Sequence, residues 1–134
     1  MIYLMAYGIS VGLMGVLDAV WLVTMTGRFY KVYLNALLAP VPNMKAGVLF
    51  YLLYVAGLTC FVTVPAIHSH LSLIQVALLG AFFGCVAYGT YDLTNLATIQ
   101  NWPLIVSIVD LIWGATVSAV VAVLTVFLVR MKFL

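Results

Sequence analysis

Three aspartates are the residues in this sequence whose type and placement point to chemistry. Asp18, Asp92 and Asp110 each lie inside a long apolar run, and the chain contains no other acidic residue. A carboxylate at the middle of a lipid-facing helix costs roughly 2.5–3.5 kcal/mol on insertion scales, so three of them would cost on the order of 8–10 kcal/mol. That cost is comparable with the whole folding stability of a small domain. The three side chains are therefore expected to face the interior of a helix bundle.

The composition explains why these acids should lie within a membrane. Hydrophobic residues make up 67% of the chain and charged residues 6%, and the mean hydropathy is +1.29. Soluble domains and disordered chains contain far more polar residues, which excludes both classes. The net charge of +2 is too small to indicate nucleic-acid binding, because lipid headgroups account for basic residues beside helix ends. We predict an all-α, multi-pass membrane protein whose principal partner is the lipid bilayer.

Four apolar runs are long enough to cross a hydrocarbon core, which needs about 20 helical residues. We predict a single transmembrane domain over residues 1–134, with helices at about 2–26, 46–65, 71–99 and 103–129. Between the first two helices, at about 28–39, basic residues alternate with aromatic and aliphatic ones. That pattern predicts an amphipathic helix in the headgroup plane, which ends before Pro40 and acts either as a strap or as a lid over a site.

The three aspartates are predicted to lie at one depth. Asp18 precedes the end of the first helix by about eight residues, and Asp92 and Asp110 flank the third connection by about eight each, so at 1.5 Å per residue each lies roughly 12 Å below the same face. Tyr51 and Tyr54 of the second helix reach a comparable depth. Four antiparallel helices thus deliver acids and aromatic side chains to one layer, and we predict a polar site there.

The roles within this predicted site follow from residue type. Asp92 is the candidate general base or cation ligand, and Asp110 and Asp18 are the candidate assisting carboxylates. Candidate binding residues share their layer or the helix face of Asp92: Asn95, Tyr88, Tyr91, Thr94, Tyr51, Tyr54, Trp21 and Trp113.

The helices carry no internal Lys or Arg that could neutralise the acids. Three like charges in a low-dielectric pocket cannot all stay ionised without help. Three solutions remain open: some carboxyls hold protons, a cation binds among them, or a basic residue of the first connection (Arg28, Lys31 or Lys45) reaches down to them.

A purely structural role is the alternative for the acids. Asp18 with Trp21, and Asp110 with Trp113, form a repeated Asp-x-x-Trp pattern in which an indole N–H can bond to the adjacent layer. Hydrogen bonds between membrane helices, however, contribute only about 0.6 kcal/mol each, which is much less than the cost of inserting each acid. Bonding between helices alone therefore does not explain why an acid is used three times. The pair His68 and His70 lacks a third ligand nearby, so we predict an exposed turn there and no metal site.

Small residues recur at three- and four-residue steps on three of the helices, and such seams let membrane helices approach closely. These seams would permit a homodimer or docking to a larger membrane complex. The seams are Gly8, Gly12, Gly15 and Ala19; Gly80 and Gly84; and Gly114, Ser118 and Ala122.

Six blocks of this sequence together carry a resemblance to a known family. They are Leu17-Asp18-x-x-Trp21-Leu22, Phe29-Tyr30, Phe50-Tyr51-Leu52-Leu53-Tyr54-x-x-Gly57, Ala87-Tyr88-x-Thr90-Tyr91-Asp92-Leu93-Thr94-Asn95-Leu96-Ala97-Thr98, Trp102-Pro103 and Val109-Asp110-x-x-Trp113-Gly114. Together they resemble the bacterial inner-membrane proteins of the DUF2177 family. The resemblance covers almost the whole chain, and it implies a multi-pass fold in the bacterial inner membrane. It leaves the activity and any cofactor open, although the gene neighbourhoods of such proteins imply a link to lipid chemistry.

Three functions are compatible with these observations. In the first, the protein binds or modifies a lipid-like substrate in the three-carboxylate pocket, with the first connection as a lid; whether it is an enzyme stays open, because no recognised catalytic motif is present. In the second, it is a small transporter coupled to cations or protons. In the third, it is a structural or assembly subunit of a larger membrane complex. The clustering of the acids towards one face favours a pocket over a conduit.

Overall fold

The computed structural model describes residues 1–133, and this part of the chain is helical without any strand. Four of its helical segments are long and apolar enough to cross a membrane, so the prediction of an all-α, four-span membrane protein is confirmed. The elements in chain order are α1 (Ile2–Met25), a π-helical turn (Thr26–Tyr30), α2 (Lys31–Leu34), α3 (Met44–Leu58), a second π-helical turn (Thr59–Thr63), α4 (Val64–His68), α5 (Leu73–Thr98) and α6 (Leu104–Lys132).

Helix α1 ends at Met25, close to the predicted residue 26, but helical backbone continues beyond it. The π-helical turn Thr26–Tyr30 joins α1 to α2 without a break, so the helical segment runs from Ile2 to Leu34. The predicted interfacial segment at about 28–39 therefore consists of this continuation and of the turn after Leu34, whose carbonyl accepts bonds from the amides of Leu37 and Leu38. A π-helical turn takes in one extra residue and rotates the side chains that follow it.

Polar side chains fix the ends of the other spans. The Asn43 side chain accepts a bond from the Ala46 amide at 3.1 Å and caps α3, and Ser72 forms a reciprocal capping box with Gln75 at the start of α5. Pro103 immediately precedes α6, where a missing N–H costs nothing. The short second and third connections make neighbouring spans antiparallel, so the first and third connections lie at the same end of the bundle.

Helix α6 is the centre of the bundle. It packs against α5, α1 and the second span, and its buried residues extend from Val106 to Val129. Interhelical polar bonds run along it: the hydroxyls of Ser10 and Thr125 lie 2.9 Å apart, and Tyr54 bonds to Ser118. These bonds satisfy polar groups that would otherwise be stranded in an apolar interior.

The contact between α5 and α6 is the closest in the bundle, because glycine occupies both sides of it. A Cβ atom placed on Gly80 would lie 2.8 Å from the Ser118 carbonyl oxygen, and one placed on Gly84 would overlap the backbone of Gly114. Gly114 also lies directly under the Tyr88 ring. The predicted seams on these two helices therefore face each other, and the two backbones touch.

The seam on α1 faces the opposite way. A Cβ atom on Gly8, Gly12 or Gly15 would meet no atom within 4 Å in the described chain, and Ala19 is exposed as well. This seam takes no part in packing the bundle, so it presents a groove of backbone to the surroundings of the protein.

The two kinds of seam predict opposite responses to the same substitution. Gly84→Ala should lower the free energy of unfolding by about 1–3 kcal/mol, because an extra methyl group forces the α5 and α6 backbones apart. Gly12→Ala, the matched control, should leave stability unchanged or raise it by up to about 1 kcal/mol, because alanine is the better helix former. Unfolding of the purified protein in detergent, followed by circular dichroism, measures both. Equal destabilisation by the two variants would contradict the assignment of the seams.

Candidate functional site

The three aspartates come together near the end of the bundle that carries the first and third connections. Their side chains are interior: Asp18 is 5% exposed, Asp92 is fully buried and Asp110 is 8% exposed. Asp110 is the shared neighbour, since its charge acts on both of the others. None of the three faces the acyl chains that would surround the bundle, which agrees with the cost of exposing a carboxylate there.

Two tryptophans and one tyrosine hold Asp18 and Asp110 in a crossed arrangement. Trp113 of α6 donates its indole N–H to Asp18 Oδ1 at 2.9 Å. In the other direction, Trp21 of α1 donates to the Tyr30 hydroxyl at 3.0 Å, and Tyr30 donates to Asp110 Oδ1 at 2.5 Å. The two indole rings stack with centroids 4.2 Å apart and an interplanar angle of 6°. The Asp-x-x-Trp repeat thus ties α1 to α6, once directly and once through Tyr30.

Tyr30 was missed among the candidate site residues, although its Phe29-Tyr30 block was singled out. It reaches Asp110 because the π-helical turn Thr26–Tyr30 carries the chain over the end of the bundle. Such a turn is set by tertiary packing and has no sequence signature of its own. The sequence gives one signal for Tyr30: it is an aromatic residue with a hydroxyl group, and it lies in the first connection, which is a candidate lid over the site.

A cleft with a volume of about 640 Å³ opens beside the crossed bonds, between the first connection and all four spans. Its wall combines two carboxyl groups with a large aromatic surface and aliphatic side chains, and within the described chain no Lys, Arg or His lines it. The aromatic lining residues are Trp21, Tyr30, Phe50, Tyr51, Tyr88, Tyr91 and Trp113; the others are Asp18, Asp110, Leu22, Thr26, Leu34, Leu38, Pro42, Met44 and Ala87.

Most of the candidate site residues line this cleft: Asp18, Asp110, Trp21, Trp113, Tyr51, Tyr88 and Tyr91. Four candidates do not. Tyr54 is buried in the core and bonds to Ser118. Thr94 is exposed and donates to backbone carbonyls of its own helix, and Asn95 lies half-buried beside Tyr91. These residues share the depth of the site, but the rotation of their helices turns them away from it.

Asp92 is the fourth candidate outside the cleft, and its surroundings are unusual. It lies behind Asp110, and no N–H or hydroxyl group of the described chain donates to its carboxylate oxygens, whose polar neighbour is the carboxyl of Asp110. Its backbone is well fixed, because Trp102 donates to the Ser107 hydroxyl at 3.0 Å and Ser107 donates to the Asp92 carbonyl at 3.1 Å. Two neighbouring buried carboxyls repel each other unless a proton or a cation lies close to them.

The basic residues do not provide that compensation. Arg28, Lys31 and Lys45 are exposed, and none of them acts on the three carboxyls. Arg130 lies at the other end of the bundle, where it donates to the Ala66 carbonyl at 3.0 Å. Of the three solutions that the sequence left open, the geometry therefore retains a held proton and a bound cation.

Among residues 1–133, no group of three or more His, Cys, Asp or Glu side chains is placed to hold a metal ion. His68 and His70 are exposed at the end of α4, away from the aspartates, and the cysteines Cys60 and Cys85 are unpaired within the same residues.

The stacked indoles provide a spectroscopic prediction. The chain has three tryptophans, and the two that stack should give an exciton-coupled signal in circular dichroism. Trp21→Phe and Trp113→Phe should each abolish this signal, and Trp113→Phe should also cost about 1–3 kcal/mol of stability because Asp18 loses its donor. Trp102→Phe is the matched control and should leave the coupled signal intact. A coupled signal that survives in either of the first two variants would refute the stacking.

Comparison with known proteins identifies a family and goes no further. Neither the curated proteins nor the solved structures include a match to this chain. The model of one protein family, described as "Predicted membrane protein (DUF2177)", matches residues 3–127. The match spans nearly all of the four-helix bundle, including the three aspartates and every residue that lines the cleft. The chain therefore belongs to the DUF2177 family of membrane proteins.

Proposed function

We propose that the protein binds an amphipathic, lipid-like molecule in the cleft beside Asp18 and Asp110. The observation that carries the proposal is the cleft itself, whose volume of about 640 Å³ falls within the usual range for small-molecule sites. Such sites have mostly apolar walls and a few convergent polar groups, and they occur between the helices of bundles. A location in the bacterial inner membrane, where lipids reach the site directly, belongs to the same proposal.

The wall of the cleft suits the two parts of an amphipathic molecule. Leu22, Leu38 and Met44 provide aliphatic surface for a hydrocarbon chain. Asp18 and Asp110 provide carboxylate oxygens for a polar headgroup. Because each acid uses its Oδ1 atom for an internal bond, the Oδ2 atom is the natural acceptor for a bound molecule.

The positions of the acids relative to the cleft decide which of them could act on a bound molecule. Asp110 lines the cleft, whereas Asp92 is sealed behind it. If the bound molecule is modified, Asp110 is therefore the candidate base, and Tyr30, which donates its hydroxyl proton to Asp110 at 2.5 Å, would hold that carboxyl in place. Asp92 does not contact the bound molecule and influences it only indirectly, through the effect of its charge on Asp110.

Filling the cleft tests this proposal. Ala87 lines the cleft on α5, so Ala87→Phe should occupy part of the space and reduce the fraction of protein that retains a lipid-like molecule by about tenfold, which corresponds to roughly 1.4 kcal/mol. Ala97→Phe places the same side chain at an exposed position of the same helix and should have no effect. Native mass spectrometry of protein released gently from membranes measures the retained molecules. Equal retention by the wild type and both variants would contradict the proposal.

We infer a second candidate function, assembly with another membrane helix, from the outward seam on α1. Gly8, Gly12 and Gly15 leave an open strip along this helix, and small-residue strips are the usual contact surface of associating membrane helices. The partner would be a second copy of this chain or a subunit of a larger complex. Binding in the cleft and assembly through α1 are compatible, because they use different faces of the molecule.

The seam also has a matched test. Gly12→Leu should break an association through α1, yet it should leave the bundle folded because no atom of the described chain lies within 4 Å of the new Cβ. Gly47→Leu adds the same side chain to an equally open position on α3 and should leave association unchanged. Cross-linking in native membranes, followed by sizing, measures the assembly state. Loss of assembly in both variants, or in neither, would count against the seam as the interface.

A further inference from the structure

We propose that the molecule held in the cleft carries a positive charge: it is a lipophilic cation, with an amine or quaternary ammonium headgroup on an apolar chain. This inference rests on the proposed function, because it names the chemical class of the ligand for the same cleft. Three independent features of the wall support it: the sign of its charges, its aromatic character and the unsatisfied carboxyl behind it.

The charges that line the cleft all have one sign. Asp18 and Asp110 are the ionisable acids of the wall, Asp92 lies directly behind Asp110, and no basic side chain of the described residues contributes to the lining. In a low-dielectric site, charge complementarity dominates the choice of headgroup. A phosphate or carboxylate headgroup would require Arg or Lys donors, and this wall has none.

The aromatic surface favours the same class of ligand. Tyr51, Tyr88, Tyr91 and Phe50 line the cleft together with the stacked indoles of Trp21 and Trp113. The faces of aromatic rings attract cations, and proteins recognise quaternary ammonium groups with walls of this kind. An aliphatic wall would hold a hydrocarbon chain equally well, so the abundance of aromatic rings beside the acids points to the headgroup.

The position of Asp92 provides the third feature. This residue is fully buried, and no N–H or hydroxyl group of the described chain donates to its carboxyl, whose polar neighbour is the carboxyl of Asp110. No basic side chain of residues 1–133 acts on the two carboxyls, so a held proton or a cation must offset their repulsion. A cation bound at Asp110 would lower this repulsion directly, whereas a neutral headgroup would leave it to a held proton. Asp92 therefore adds to the preference for a cation without touching the ligand.

A set of three probes with the same alkyl chain isolates the headgroup. The full-length protein in a nonionic detergent is titrated with dodecyltrimethylammonium, dodecanol and dodecyl phosphate, and tryptophan fluorescence reports binding because two of the three indoles line the cleft. We expect the cation to bind at least about tenfold more tightly than the alcohol, and the phosphate to bind most weakly. The Asp18→Asn and Asp110→Asn variants should each lose most of this preference, because the affinity for the cation should fall much further than the affinity for the alcohol.

The outcomes separate the ligand class from the function on which it rests. Equal affinity for the cation and the alcohol, or tighter binding of the phosphate, would overturn the lipophilic cation and leave the binding cleft in place. No binding of any probe would overturn the binding function itself. If one variant fails to fold, the other variant is used for the test. Binding of the alcohol by a variant shows that its cleft is intact. A cation preference that survives both substitutions would place the cation elsewhere and refute the inference.

Discussion

The cost of placing carboxyl groups inside an apolar bundle governs this structure. Asp18 and Asp110 meet that cost with hydrogen bonds from Trp113 and Tyr30, and these bonds cross between α1 and α6 and hold the two helices in register. Asp92 has no such donor among the described residues, and its carboxyl lies next to a second acid. Asp18 and Asp110 are therefore stabilised by donors from other segments, whereas the carboxyls of Asp92 and Asp110 need a proton or a cation to offset their mutual repulsion.

The same helix contact that packs the bundle also creates the unsatisfied pair. Gly80 and Gly84 of α5 lie three and two steps of four residues before Asp92, so they share its face of the helix. On α6, Gly114 follows Asp110 by four residues. Because glycine lets the two backbones touch, the continuation of both stripes brings the two carboxyls side by side. Larger residues in the seam would separate the helices and relieve the repulsion, so close packing and the charged pair are one feature.

The fold class could be predicted from the sequence, because hydrophobic length determines the spans and can be counted. Residue counts from the connections predict in addition that the acids lie in one layer. The rotation of each helix about its axis is harder to predict from the sequence. Depth alone does not distinguish Tyr51, which lines the cleft, from Tyr54, which is buried in the core. The seams show the same difficulty: those of α1 and α5 have similar spacing, yet one faces outward and the other packs. Tyr30 depended on a π-helical turn that packing imposes, and no periodicity could have placed it.

The separation of Asp92 from the cleft gives the three acids different physical roles. Asp18 and Asp110 offer oxygens to whatever enters, whereas Asp92 can influence an occupant only through the field that it exerts at Asp110. The field of a sealed group is screened much less than that of an exposed one, so it adds to the contacts that the headgroup makes. A cationic headgroup would be held by two charged contacts and by the potential of Asp92, and an uncharged one by contacts without that potential. Selectivity for charge would then come mainly from Asp18 and Asp110, and Asp92 would add to it without touching the ligand.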